Sequence, residues 1–207
     1  MQTNTRRRCL QLGLVTAAAL ALMPTLGLAP EPDPVPRRWE LKVDLGALRV
    51  TSVPVQGESR AFYYLTYKVT NRSGQDVLFA PSFDMTFGDG KPVRSGRDVP
   101  ADVTKALLEK MQNPLLLDQI AIIGPLLQGE ENAKDGIVIW SAENLGPAKL
   151  TVYAAGFSGE TATITLPDSA TKAVLRKSLM VRYQATGEMT GRGDKPIEAA
   201  EYRWIMR

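Results

Sequence analysis

Histidine is absent from this 207-residue chain, and cysteine occurs once, at Cys9. The commonest general base and the commonest metal-ligating side chain are therefore missing. With the single thiol so early, no disulfide can close within the rest of the chain. Zinc–thiolate sites and thiol nucleophiles are excluded there as well. Histidine-assisted serine hydrolysis and most zinc and haem chemistry go with them, and no metal or cofactor is expected. What remains for catalysis is carboxylate, lysine, tyrosine or unassisted serine chemistry.

A basic surplus is also lacking once the N-terminus is set aside. The 25 Lys and Arg outnumber the 22 Asp and Glu, but Arg6, Arg7 and Arg8 stand in a segment without an acidic residue. Subtracting these three leaves 22 basic residues against 22 acidic ones. A nucleic-acid-binding surface needs a basic stripe that releases phosphate counterions. No nucleic-acid partner is expected.

The N-terminal segment reads as an address. Residues 1–29 have a basic start, an apolar stretch from Cys9 to Met23, and small residues after it. That is the order of a secretory signal. Thr5-Arg6-Arg7-Arg8-Cys9-Leu10 resembles the twin-arginine export motif, with Arg6 and Arg7 as the pair and Cys9 in place of the usual aromatic. The general route and the twin-arginine route both stay open. Gly27-Leu28-Ala29 and Ala19-Leu20-Ala21 are alternative cleavage sites, and an uncut Cys9–Ala29 is long enough to remain as an anchor. Residues 30–37 carry Pro30, Pro32, Pro34 and Pro36, a spacing that reads as an extended, semi-rigid tether. The expected location is extracytoplasmic, with membrane contact only through an uncleaved N-terminal segment.

Residues 38–207 are dominated by period-two alternation, the pattern of half-buried strands. Trp39, Leu41 and Val43 share one face of a first strand, and Tyr63, Leu65, Tyr67 and Val69 share one face of a second. Val77 to Phe79, then Phe83, Met85 and Phe87, continue the pattern up to an Asp89-Gly90 turn. Ile137 to Trp140 follows a turn at Lys134-Asp135-Gly136, and Leu150 to Ala154 and Ala162 to Leu166 alternate in turn. Leu175, Leu179, Val181 and Tyr183 share a face that Lys177 interrupts, and Tyr202, Trp204 and Met206 end the series. Strands with one apolar face each predict two packed antiparallel sheets closed by a C-terminal β-hairpin. Only 98–132 breaks the rhythm. Asp102 is placed to cap a short helix with Val103, Ala106, Leu107 and Met111 on its apolar side, ended by Asn113-Pro114. Leu115 to Leu127 reads as a helical turn or a strand. The whole insertion is expected over one end or edge of the sheets.

The run Tyr67-Lys68-Val69-Thr70-Asn71-Arg72-Ser73-Gly74-Gln75-Asp76-Val77, the Asp89-Gly90 turn and Gly136-Ile137-Val138-Ile139-Trp140 resemble the telokin-like, immunoglobulin-like domains of exported bacterial proteins. The resemblance spans roughly residues 39–166 and rests on turn and core positions. It implies an all-β, immunoglobulin-like antiparallel β-sandwich in an extracytoplasmic setting, and it carries no catalytic residue over.

Candidate sites are few. Glu130, Glu131, Asn132 and Asp135 cluster oxygen ligands, but their spacing fits no calcium loop and reads as a solvated turn. Asp84, Asp89 and Asp98 have no common focus. Arg192-Gly193-Asp194 spells an adhesion tripeptide in a Gly-rich stretch and reads as a turn. Phe62, Tyr64 and Tyr153 fall out of phase with the core rows. They form either an exposed binding surface or a layer beneath the 98–132 insertion. The expected function is a non-catalytic interaction or structural module of the cell envelope, whose partner is another envelope protein or a wall polymer. A polysaccharide-binding module is the alternative. A carboxylate-dependent hydrolase is a third, although no two carboxylates can be set across a cleft from sequence.

Overall fold

The computed structural model describes residues 29–35, 38–88, 90–142, 148–166, 171–185, 189 and 191–207. The export motif Arg6 and Arg7, and Asp89 of the hairpin, lie outside them.

The first sheet is built around one long strand. Strands β1 (Lys42–Leu45) and β2 (Arg49–Val55) lead into β3 (Glu58–Asn71), which is long enough to pair with both. Its first half folds back on β2, with Val55 opposite Glu58, and its second half pairs with β1, with Lys42 opposite Thr70. The β2–β3 turn holds Gln56 at φ 52° and Gly57 at φ 88°, the two positive angles that a tight primed hairpin turn needs. Sequence alternation did not single out β2, and Pro54 argues against a central strand. The strand is an edge, where a missing N–H is tolerated.

The next elements are β4 (Val77–Phe79), β5 (Ser82–Phe87), β6 (Val93–Arg94), helix α1 (Ala101–Met111), β7 (Leu116–Leu117), β8 (Gly124–Leu126) and β9 (Gly129–Ser141). β9 runs antiparallel along the other side of β3, and β7 adds to it in parallel, a departure from a purely antiparallel plan. Lys134, Asp135 and Gly136 are therefore strand residues within β9 and not a turn. β4 and β8 form a two-stranded sheet of their own. The remaining strands are β10 (Ala148–Ala155), β11 (Thr161–Thr165), β12 (Lys172–Ala185) and β13 (Ala199–Met206). In the second sheet β10 lies between β5 and β12, β6 extends β5, and β12 also pairs with β11 and β13.

The two larger sheets share one core. Tyr63, Leu65, Tyr67, Val138 and Trp140 from the first meet Phe83, Met85, Leu150, Val152, Leu179 and Val181 from the second. Each such side chain withdrawn from water stabilises the fold by about 1.5–3 kcal/mol. Phe157, after β10, closes one end, with ring centroids 5.3 Å from Phe79, 5.7 Å from Phe83 and 5.8 Å from Tyr67.

Helix α1 makes a second, smaller core. Val103 and Leu107 pack on Phe62, Tyr64, Ile137 and Ile139, which face away from the main core. Within the insertion α1 thus covers a face of the first sheet, while β7 covers its edge beside β9. Pro100, in extended backbone, occupies the N-cap position, so Asp102 sits inside the first turn, where its charge favours the helix N-terminus. The helix stops at Gln112, whose φ of 51° is left-handed, one residue before Asn113-Pro114.

Candidate functional site

Burial removes two of the three aromatics from consideration as a binding surface. Phe62 is 0% exposed and Tyr64 2%, both under α1. Tyr153 is on the other sheet altogether, so the three do not converge. Sequence parity put Phe62 and Tyr64 on the side of β3 away from the main core. Of the two readings, the layer beneath the 98–132 insertion holds for these two.

The Tyr64 hydroxyl donates to Asp194 Oδ1 at 3.0 Å, and Lys110 Nζ, at the end of α1, pairs with Asp194 Oδ2 and reaches Thr51 Oγ1 at 3.0 Å. Arg49 donates to the Asp194 carbonyl oxygen. Burial pushes the Asp194 carboxyl up, but the hydrogen bonds from Lys110 and Tyr64 more than reverse this, so its pKa falls below the usual value. Burial first, then Asp194, drive the Tyr64 phenol upward. Arg192 turns back to the carbonyl oxygens of Lys195 and Pro196. The adhesion-like tripeptide is thus a structural clasp: Asp194, at φ 61°, faces the helix it anchors.

The acidic stretch is dispersed along β9. Glu130 pairs with Arg72, Asp135 accepts from Asn113 at 3.3 Å, and Asn132 donates to the Gln128 carbonyl oxygen. Among the described residues no three potential ligands gather around a common point.

The inner faces of both sheets are consumed by the shared core, and α1 covers the outer face of the first around Phe62 and Tyr64, leaving Asp44, Thr66 and Lys68 beside a cavity. Among the described residues no helix covers the outer face of the second sheet. On the outer face of the second sheet, strand pairing sets Arg94, Asp84, Tyr153, Met180 and Arg203 in one cross-strand row. Thr86, Thr151, Arg182 and Glu201 form the next. Asp84 is the hub: its carboxylate takes Arg94 at 2.7 Å and Arg207 at 2.8 Å. The Arg207 guanidinium lies 4.3 Å above the Tyr153 ring. Ser178 and Met180, on the same outer face, are buried. Arg182 pairs with Glu201 at 2.7 Å, while Lys149 and Arg203 are exposed. Arg94, Lys149, Arg182, Arg203 and Arg207 share this part of the face with the anions Asp84 and Glu201. The arrangement presents guanidinium donors on a rigid sheet and holds no nucleophile–base pair.

A further ion cluster explains Lys177, the interruption in β12. It is 4% exposed and lies on the core side at one end of the sheets. Its Nζ is 3.1 Å from Glu160 Oε2, a hydrogen bond, and 2.8 Å from Glu40 Oε2, a charge contact without hydrogen-bond alignment. Glu160 also accepts the Asp33 backbone N–H at 2.9 Å, tying the Pro-rich segment to the domain. Burial works against the Lys177 charge, yet Glu40 and Glu160 raise its pKa overall. The Asp33 N–H, then Lys177, hold Glu160 below the usual carboxylate value.

These features define a mostly-β protein of antiparallel sheets around a common core, with one short helix among the described residues and a cationic sheet face. Compared with models of known protein families, with curated proteins and with solved structures, the chain gives no match.

Proposed function

We propose that the chain is an exported, non-catalytic interaction module of the bacterial cell envelope, an immunoglobulin-like β-sandwich that engages another envelope protein through the outer face of its second sheet. The observation that carries this reading is the contrast between the faces. The inner faces are packed away and α1 covers part of the first sheet's outer face, whereas the outer face of the second displays Tyr153 among Arg94, Arg182, Arg203 and Arg207. Tyr and Arg are the side chains that most often anchor protein interfaces. A protein partner is favoured over a wall polymer because Arg207 already covers a face of the Tyr153 ring, leaving a sugar without a free aromatic platform there. The signal-like segment 1–29 and the proline-spaced segment 30–37 support the extracytoplasmic setting.

The test is cross-linking in the native envelope followed by affinity capture and mass spectrometry, with the wild-type chain beside Tyr153→Ala and Arg203→Glu. One reproducible protein partner, lost from both variants, is the expected result. Equal capture by all three chains would remove this face from the account. Retention on purified wall polymer alone would favour the polysaccharide-binding reading.

A further inference from the structure

Beyond the Asp84–Arg207 cluster, the outer face of the second sheet ends in a hollow of about 460 Å³. Small-ligand sites span about 300–1,000 Å³. Strand pairing lays its floor on two adjacent rows. Thr86, Thr151 and Arg182 lie in the first, and Lys149 stands opposite Gln184 in the second. Gly88 closes the second row through its N–H to the Lys149 carbonyl oxygen at 2.7 Å. On the far side β13 skips Ala200, a bulge that interrupts the ladder where the hollow forms. Such bulges bend a strand and are over-represented next to active sites.

The chemistry of the lining is one-sided. Among the described residues no carboxylate lines the hollow, whereas Lys149 and Arg182 bring two cations to it. They are diagonal neighbours on paired strands, close enough for long side chains to meet at one ligand group. Lys149 is exposed and makes no ion pair with a described residue. Arg182 bonds Glu201 through Nη1 at 2.7 Å, and its guanidinium keeps further N–H donors. Thr86, Thr151 and Gln184 add neutral donors.

We propose that this hollow is an oxyanion site and that its occupant is an Asp or Glu carboxylate of the partner protein. Charge selects it. Lys149 and Arg182 against Glu201 leave a surplus of one positive charge, which a single carboxylate cancels. A phosphate monoester, at about −1.5 to −2 near pH 7, overshoots it. Guanidinium and ammonium donors also bind a carboxylate through charge-assisted hydrogen bonds, which are stronger than neutral ones. Tyr153 lines the hollow as well and joins it to the Asp84–Arg207 cluster. The assignment rests on the proposed interaction face and names what the partner brings to it.

The experiment is an amide chemical-shift titration of the full chain in detergent micelles, with thermal unfolding as a fold check. Hexaglutamate peptide and inorganic phosphate serve as separate probes. Hexaglutamate should shift the amides of Gly88, Lys149, Thr151 and Arg182. Lys149→Glu should weaken its binding about tenfold, and Glu201→Gln, which removes a competing carboxylate, should tighten it about threefold. The two changes act in opposite directions, so misfolding does not imitate both. No shifts, shifts only elsewhere on the chain, or an affinity indifferent to both variants would overturn the proposal. Binding of inorganic phosphate in place of the peptide would overturn the choice of a carboxylate. Capture from the native envelope separates the hollow from the wider face. A partner lost on Arg203→Glu yet retained by Lys149→Glu would remove the hollow and leave the face. No captured partner, with peptide binding as expected, would remove the proposed function and leave the hollow.

Discussion

At the scale of single residues, close approach decides more than chemistry. Gly136 is the clearest case. A Cβ at this position would lie 2.4 Å from the Tyr67 ring and 2.7 Å from Ile122 Cδ1, both buried and held on all sides. Gly136→Ala should therefore destabilise by about 1–3 kcal/mol through overpacking, read as a lower midpoint in urea unfolding. An unchanged midpoint would mean that Tyr67 can move. Read as a turn glycine, this residue was assigned the wrong reason: the chain is extended there, and the need is for space. Adjacent tyrosines offer a second contrast. Tyr64→Phe should lose about 1–2 kcal/mol, because Asp194 loses a donor it relies on. Tyr63→Phe should be neutral or stabilising, since no protein group bonds that hydroxyl. Equal effects at both positions would contradict this assignment of the Asp194 clasp.

At the scale of elements, α1 is the piece whose consequences are largest. Its apolar side was legible as Val103, Ala106, Leu107 and Met111, and Val103 and Leu107 are 0% exposed. Its target was legible in part: the out-of-phase Phe62 and Tyr64 lie beneath the insertion as one reading had it, while Tyr153 does not, because hydrophobic spacing along a helix names a face without fixing which sheet it meets. Leu107→Ala should cost about 2–5 kcal/mol. Because α1 belongs to the smaller core, it should loosen before the main sheets do. Limited proteolysis within 101–111 ahead of global unfolding is the expected signature. Simultaneous loss of near-ultraviolet signal from the main core would instead make the two cores one cooperative unit. The strands most faithfully read were those with one wet face, such as Leu150 to Ala154. β3 and β9 are dry on both faces around Phe62–Leu65 and Ile137–Trp140, so alternation in their sequence carried less information than it seemed to offer.

At the scale of the whole molecule, one ion cluster joins parts distant in sequence. Glu40 precedes the first sheet, Lys177 belongs to the second, Glu160 precedes β11, and Asp33 lies in the Pro-rich segment. Glu160 has a folded-state pKa below its unfolded value of about 4.3. Its contribution is therefore fully present above that value and is lost as pH falls through the folded one. Glu160→Gln should lower the Tm at pH 6, and the gap from wild type should narrow as pH falls below the unfolded value and through the lowered folded one. A gap of constant size between pH 6 and pH 2 would show that the carboxylate charge is not what stabilises this corner.

The sequence by itself determined what depends on composition and local period: the missing histidine and disulfide chemistry, the mostly-β character, the short helix after Pro100, and the proline-spaced segment. These follow from residue inventory and from side chains alternating across a pleated strand. Only the tertiary structure decided which faces are wet. Phe62, Tyr64 and Tyr153 have the same standing in the sequence, yet α1 buries two of them and Arg207, arriving from the end of the last strand, leans on the third. Likewise Lys177 looked like an error in an apolar row until Glu40 and Glu160, 137 and 17 residues away, met it at the sheet end. Exposure is a property of what packs on a residue, and that partner is chosen by chain topology over separations that no local pattern records.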